Sequence, residues 1–141
     1  TLVTSVGEGG PLAMVIGSFV SVSLEPPLVG FLPGKGSQTW PLIEETGVFC
    51  VNVLADSQMR LVDEFVRKES DPWMSVQYRL AASGAPIVEG CLAGIDCSID
   101  QVVDVGDHWF VTGQVTAVEC SEEGSPLVFL GGTYGRFEGG R

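Results

Sequence analysis

Short apolar runs closed by glycine, proline or a small polar residue dominate this chain. Residues 2–6, 12–16 and 28–32 are three such runs, and 48–54 (VFCVNVL) is a fourth with Asn52 as its polar member. Runs of this length bounded by turn formers predict β-strands. Two longer runs, 92–105 and 109–120, flank Gly106-Asp107-His108, and the Gly-Asp turn predicts a hairpin. Residues 127–130 add a last short strand. A helical period shows in two places. Residues 37–46 open with Ser37 or Thr39 as cap, carry Pro41 in the first turn and stop at Gly47. After a cap at Asp56 or Ser57, Met59, Leu61, Val62, Phe65 and Val66 fall on one helical face. Residues 69–86 are polar and irregular, an expected excursion between strands. Strands joined mostly by turns, with too few helices for a parallel sheet, predict one antiparallel barrel domain over residues 1–141 with helical insertions.

Composition narrows the function classes. The 141 residues are 45% hydrophobic and 18% charged, apolar enough for a real core and too apolar for a disordered chain. Eighteen acids against seven bases give a net charge of -11, a surface that repels phosphate backbones and anionic lipid. The bases do not cluster: Lys35 stands alone, and Arg60, Arg67, Lys68 and Arg79 spread over a helix and a loop. No nucleic-acid partner is therefore expected. Apolar stretches break well short of the roughly 20 residues of a membrane helix, so no membrane partner is expected either. Cys50, Cys91, Cys97 and Cys120 lie in apolar runs without a C-x-x-C pair, and the single histidine, His108, has no partner at metal spacing. The expectation is buried thiols, no metal and a cytoplasmic location.

Two apparent phosphate loops fail on register. In Gly30 to Ser37 (GFLPGKGS), Lys35 stands where a Walker loop needs glycine, and after Gly7-Glu8-Gly9-Gly10 the last position of G-x-G-x-x-G holds Leu12. Polar residues set among apolar ones say more. Ser18, Ser21 and Ser23 give a strand either a face of hydroxyl donors or an ordinary half-exposed side. Lys35 is the only base in the first 59 residues and lies in a glycine-rich turn before Ser37 and Thr39. That set suits a phosphate monoester, and it equally suits a solvated turn. Asn52 either ties down a loop or meets a ligand's polar edge. His108 is an exposed turn residue unless its turn leans over a pocket.

Taken together, five blocks resemble the flavin reductase-like family of short-chain NAD(P)H:flavin oxidoreductases. Leu2-Val3-Thr4-Ser5 is similar to its "VVTT" strand, and Ser18-Phe19-Val20-Ser21-Val22-Ser23-Leu24-Glu25-Pro26-Pro27-Leu28-Val29 to its "SFxSVSLxPPLV" signature. Ser37-Gln38-Thr39 with Pro41-Leu42 resembles "SxTxPL". Phe49-Cys50-Val51-Asn52-Val53-Leu54, Gln58 and Leu61 resemble "FxVNVLxxxQxxL". Gly106-Asp107-His108, Gly113 and Val115 resemble "GDHxxxxGxV", followed by Pro126-Leu127 and Gly132-Thr133-Tyr134. The blocks cover almost the whole chain in the family's order; the family's N-terminal helix and the start of its first strand are absent from it. Val15 and Gly17 stand where the family commonly has Thr-x-Asn, side chains that would reach the polar edge of the flavin ring.

The resemblance implies a mainly β fold, an antiparallel six-stranded split β-barrel of the FMN-binding type with two or three short helices, forming a homodimer. It implies hydride transfer from NADH or NADPH to FMN or FAD, with reduced flavin supplied to a separate monooxygenase. Carried over by position, Gly17, Ser18, Phe19, Ser21 and Val22 line the ring and ribityl chain. Lys35, Ser37 and Thr39 hold the phosphate. Asn52 and Leu54 border the flavin, Gln58 sits at the following helix start, and His108 faces the nicotinamide as the catalytic-side contact. The alternative drawn from Val15 and Gly17 is a flavin-binding carrier or electron-transfer protein. A third is an interaction barrel without a ligand.

Overall fold

The computed structural model describes residues 1–67 and 69–139; Lys68 lies outside them, as do Gly140 and Arg141. β1 (Leu2–Gly7) and β2 (Gly10–Val15) form a hairpin, closed where Gly10 takes a φ of 113° that a side chain would resist. β3 (Val20–Ser23) and β4 (Leu28–Phe31) form a second hairpin. α1 (Trp40–Thr46) buries Trp40 and Ile43, one turn apart, and ends at Gly47, whose N–H donates to Glu44 O at 3.1 Å. β5 (Val48–Val53) follows directly, then a 3₁₀ turn at Asp56–Gln58 and α2 (Met59–Arg67), which buries Val62 and Phe65. β6 (Tyr78–Leu80) pairs with β7 (Pro86–Val88). The long ribbon β8 (Ala93–Val105) and β9 (His108–Cys120) comes next, and the hairpin β10 (Leu127–Leu130) and β11 (Thr133–Arg136) closes the series.

The main sheet runs β2-β1-β5-β8-β9-β4-β3 with every pair antiparallel. Around its inner face cluster Val3, Phe31, Trp40, Ile43, Phe49, Val51 and Val111, all essentially inaccessible. Phe31 meets Trp40 and Phe49 edge to face, with centroids 5.7 and 5.1 Å apart. Gly113 on β9 is required by this packing: a Cβ there would stand 2.3 Å from Phe49 Cζ. A second cluster, Leu2, Leu54, Val62, Phe65 and Val88, seats α2 against the sheet.

The mainly β, antiparallel architecture with two helices matches the expectation, and three details differ. The main sheet has seven strands where six were expected, with Val20–Ser23 pairing onto β4 at its edge. The first helix starts at Trp40 behind Thr39, one of the two expected cap positions, and Ser37 and its neighbours form the turn before it. Residues 69–86 are less irregular than expected: they hold a 3₁₀ turn at Pro72–Met74 and the strand β6. Leu92 belongs to the link before β8.

Candidate functional site

Where β2 ends, the chain leaves the ladder and opens to solvent on both sides. Val15, Ile16 and Gly17 border two cavities. One, about 510 Å³, is also lined by Ser18, Leu32, Gly34 and His108. The other, about 460 Å³, adds Phe19, Leu54, Phe129 and Tyr134. Gly17 is exposed, and a Cβ built on it would meet nothing within 4 Å, so a flat ligand can approach its backbone. Ser18 holds the wall in place: its Oγ accepts from Leu32 N at 2.9 Å and donates to Leu32 O at 3.4 Å.

The ribbon β8–β9 supplies the far side of the first cavity. Register shifts between Asp96 and Cys97 and between Ile99 and Gln101 break its ladder, which bends and twists such a ribbon. Its tip is fastened to the turn after β4. Trp109 N donates to Pro33 O and Lys35 N to Asp107 O, both at 2.9 Å, and His108 bridges to Gly34. Lys35 Nζ lies 2.7 Å from Asp104 Oδ1 and 4.8 Å from the centroid of the Trp109 ring. His108 Nδ1 is 2.7 Å from Asp107 Oδ1, and that hydrogen bond holds the Asp107 carboxyl below the usual carboxylate range.

The turn before α1 carries two hydroxyls. Ser37 Oγ accepts from Trp40 N at 3.1 Å and from Thr39 N at 3.3 Å, which leaves its own hydrogen to donate outward. Thr39 is the residue before the helix, and its side chain makes no capping bond.

Other expected site residues are placed elsewhere. Asn52 is fully buried and wholly engaged: Nδ2 donates to Leu2 O, Thr4 Oγ1 and Pro86 O at 3.1–3.3 Å, and Oδ1 accepts from Val88 N at 2.7 Å. Of its two readings the structure supports the loop tie, because no polar atom remains for a ligand. Gln58 is similarly engaged, with Oε1 accepting from Ala55 N at 2.9 Å and Nε2 donating to Glu89 O at 3.0 Å. Ser21 and Val22 lie exposed on the edge strand β3 and border neither cavity. Leu54 is buried and lines the second cavity. Phe129 and Tyr134 line it too, with ring centroids 4.8 Å apart, and the reading of the residues gave neither a role. The one available signal was two aromatics flanking Gly131-Gly132, which a tight hairpin turn brings together.

The thiols of Cys50 and Cys97 are pushed up to about 12 by burial, which leaves them unreactive at neutral pH. Among the described residues no group of three or more His, Cys, Asp or Glu could hold a metal ion, and no helix is long and apolar enough to cross a membrane.

Comparison with known proteins gives a consistent picture. The family described as "Flavin reductase like domain" matches residues 1–138. A flavin reductase of Pseudomonas putida is 46% identical over 136 residues, 96% of this chain and 80% of that protein. Nitrilotriacetate monooxygenase component B from Mycobacterium thermoresistibile superposes with a TM-score of 0.94 at 40% identity, covering 97% of this chain and 78% of that one. The NADH:FAD oxidoreductase SgcE6 of Streptomyces globisporus, solved with NAD and FAD fragments, superposes with a TM-score of 0.90 at 33% identity over 97% of this chain and 83% of that one.

Proposed function

This chain belongs to the flavin reductase-like domain family, and from that premise we propose that it is the reductase component of a two-component flavin-dependent monooxygenase. It is an NAD(P)H:flavin oxidoreductase. The observation that carries this reading is the near full-length similarity to proteins of that activity. Bound together, flavin and reduced nicotinamide supply the hydride transfer itself, while the protein contributes binding, orientation and placed charge. This division of labour asks for no side-chain nucleophile.

The residues at the two cavities fit such ligands. Exposed Gly17 and the pinned Ser18 offer backbone to a planar ring, and Phe19 and Leu54 offer apolar surface. Beyond the cavity linings, at the turn that follows Gly34, Ser37 and Thr39 hold the flavin phosphate through hydroxyl donors, with Lys35 as a counter-charge shared with Asp104. Ser21 and Val22, exposed on β3 and outside both cavities, take no part in this reading. Asn52 and Gln58 serve indirectly, by fixing β7 and the start of α2. His108 faces the nicotinamide. Both cavities open to solvent, which suits flavin as an exchanging substrate rather than a fixed group. The protein works as a homodimer in the cytoplasm, with Val20 and Val22, exposed on β3, and Leu24 in the turn after it as part of the buried face.

Steady-state oxidation of NADH and of NADPH, each with FMN and with FAD, tests the activity. Flavin-dependent turnover with at least one pair is expected, and none with any pair overturns the reading. Sedimentation of the purified protein tests the dimer separately.

A further inference from the structure

The wall shared by the two cavities has backbone donors to spare and no free side-chain acceptor of its own. Up to Ile16 the backbone is paired: Ile16 N donates to Thr1 O at 2.9 Å, and Ile16 O accepts from the Thr1 amino group at 3.0 Å and from Thr1 Oγ1 at 2.9 Å. Among the described residues, the N–H groups of Gly17, Ser18 and Phe19 then donate to nothing in the fold. Ser18 Oγ, the one hydroxyl of this stretch, is engaged by both the N–H and the carbonyl of Leu32. No carboxylate or carboxamide side chain lines either cavity. Gly17 also leaves room. It is exposed, a Cβ on it would meet nothing within 4 Å, and its backbone lies outside the left-handed region, so a side chain could stand there and none does.

The hydrogen-bonding edge of an isoalloxazine is its pyrimidine, with two carbonyl acceptors flanking the N3–H donor. Unpaired backbone N–H groups suit the carbonyls, whereas the N3–H meets no side-chain acceptor at this wall. We propose that Gly17 sets the breadth of the flavin substrate: with the pyrimidine edge along residues 17–19 and read through backbone alone, the site takes flavins alkylated at N3 as readily as FMN. The proposal rests on the reductase reading above and names the substrate class of that same site.

A methyl at N3 removes the donor and adds bulk, and it leaves N5, where the hydride arrives, untouched. The ratio of kcat/KM for 3-methyl-FMN to that for FMN therefore reads the ring edge. In wild-type protein the ratio should lie within about fivefold of one, and a larger preference for FMN overturns the proposal. Gly17→Asn puts a carboxamide where the N3–H can donate and fills the space a methyl would use. The ratio should then fall by roughly a further tenfold, the upper range of one neutral hydrogen bond. Gly17→Ser, with a smaller acceptor, should lower it by about threefold and serves if the Asn variant does not fold. A ratio equal to wild type in the folded variants overturns the proposal. Fluorescence titration of both flavins without nucleotide gives the same comparison as a ratio of Kd values and needs no turnover. Wild-type protein that binds both flavins but reduces neither overturns the reductase reading, and the Kd ratios, held to the same limits, then judge Gly17 alone. Protein that binds neither flavin overturns both.

Discussion

Asn52 and Thr4 on one side, and Ser37, Thr39 and His108 on the other, are all polar residues close to apolar runs, yet the fold uses them in opposite ways. In the first region every polar atom is consumed. Thr4 Oγ1 donates towards Cys50 O at 3.2 Å and towards Pro86 O, accepts from Asn52, and lies at zero exposure. In the second region hydrogen-bonding capacity is left over: the Ser37 hydrogen, the Thr39 hydroxyl and the outer nitrogen of His108. Strands on both sides enclose Asn52, because β5 lies between β1 and β8 and β7 lies across it. Glycine-rich turns flank the others, and turns stay at the surface. A buried amide therefore belongs to the frame, and a hydroxyl beside a glycine turn keeps its capacity to donate outward.

The contrast is tested most severely at Asn52. Asn52→Ala should leave the Val88 N–H without its partner, remove the Asn52 bonds to Leu2 O and Pro86 O, and destabilise by about 3–5 kcal/mol. Urea unfolding measures this. A loss below about 1 kcal/mol would show that Asn52 is not the tie described. Flavin affinity of the folded fraction should stay near wild type, since no Asn52 atom faces a cavity. Gly113→Ala is the next largest effect. Its Cβ would press on the Phe49 ring and on Cys97 Cβ, 3.1 Å away, and should cost about 1–3 kcal/mol in the same assay. A neutral result would mean that Phe49 can move, and the sealed region would be softer than its packing implies.

The buried thiols sharpen the same point through pH. Cys50 and Cys97 have zero and 1% exposure, and burial holds both up to about 12. In the unfolded chain a thiol ionises near 8.5. Between those values the folded state binds more protons than the unfolded one. The stabilisation is therefore complete below about pH 8.5 and is lost as pH rises towards 12, at about 1.4 kcal/mol per pH unit for each thiol. Cys97→Ala and Cys50→Ala should each flatten the alkaline fall of the urea midpoint by one such increment. An unchanged slope in both would show that neither thiol resists ionisation.

Much of this was legible in the sequence, for reasons specific to each element. Gly47, Pro41 and the apolar positions of α2 act within one or two helical turns, so the helices could be read locally. The β8–β9 hairpin announced itself through Gly106-Asp107. β3 and β6 each pair with the strand that follows, β4 and β7, but VSVS and YRL are too short and too polar to stand out as apolar runs. Spare hydrogen-bonding capacity was legible where a turn carries it, as at Ser37, Thr39 and His108. Phe129 and Tyr134 reach the second cavity because the β10–β11 hairpin folds back beside Leu54, through Leu127 N to Leu54 O at 2.9 Å. No local pattern encodes that contact. Lys35 looked available by count, and its pairing with Asp104 depended on a ribbon 69 positions away.

That pairing sets the smallest predicted effect. A lone turn lysine facing a phosphate would contribute strongly, but Lys35 is one-third exposed and already neutralised by Asp104 over the Trp109 ring. Contacting a flavin phosphate means sharing its charge between two anions in a solvated setting, where an ion pair is worth about 0–1 kcal/mol. Lys35→Ala should accordingly weaken FMN only about two- to threefold and leave riboflavin, which lacks the phosphate, unchanged. Asp104→Asn should act in the opposite sense and tighten FMN by a similar factor, because it frees the ammonium. Both shifts should shrink as salt is added. Fluorescence titration of FMN and riboflavin against the two variants reads all of this. Equal loss for FMN and riboflavin in Lys35→Ala would mean that the lysine acts by fastening the ribbon tip to the turn, and Lys35 would then move from the region with spare capacity to the region whose polar groups the fold consumes.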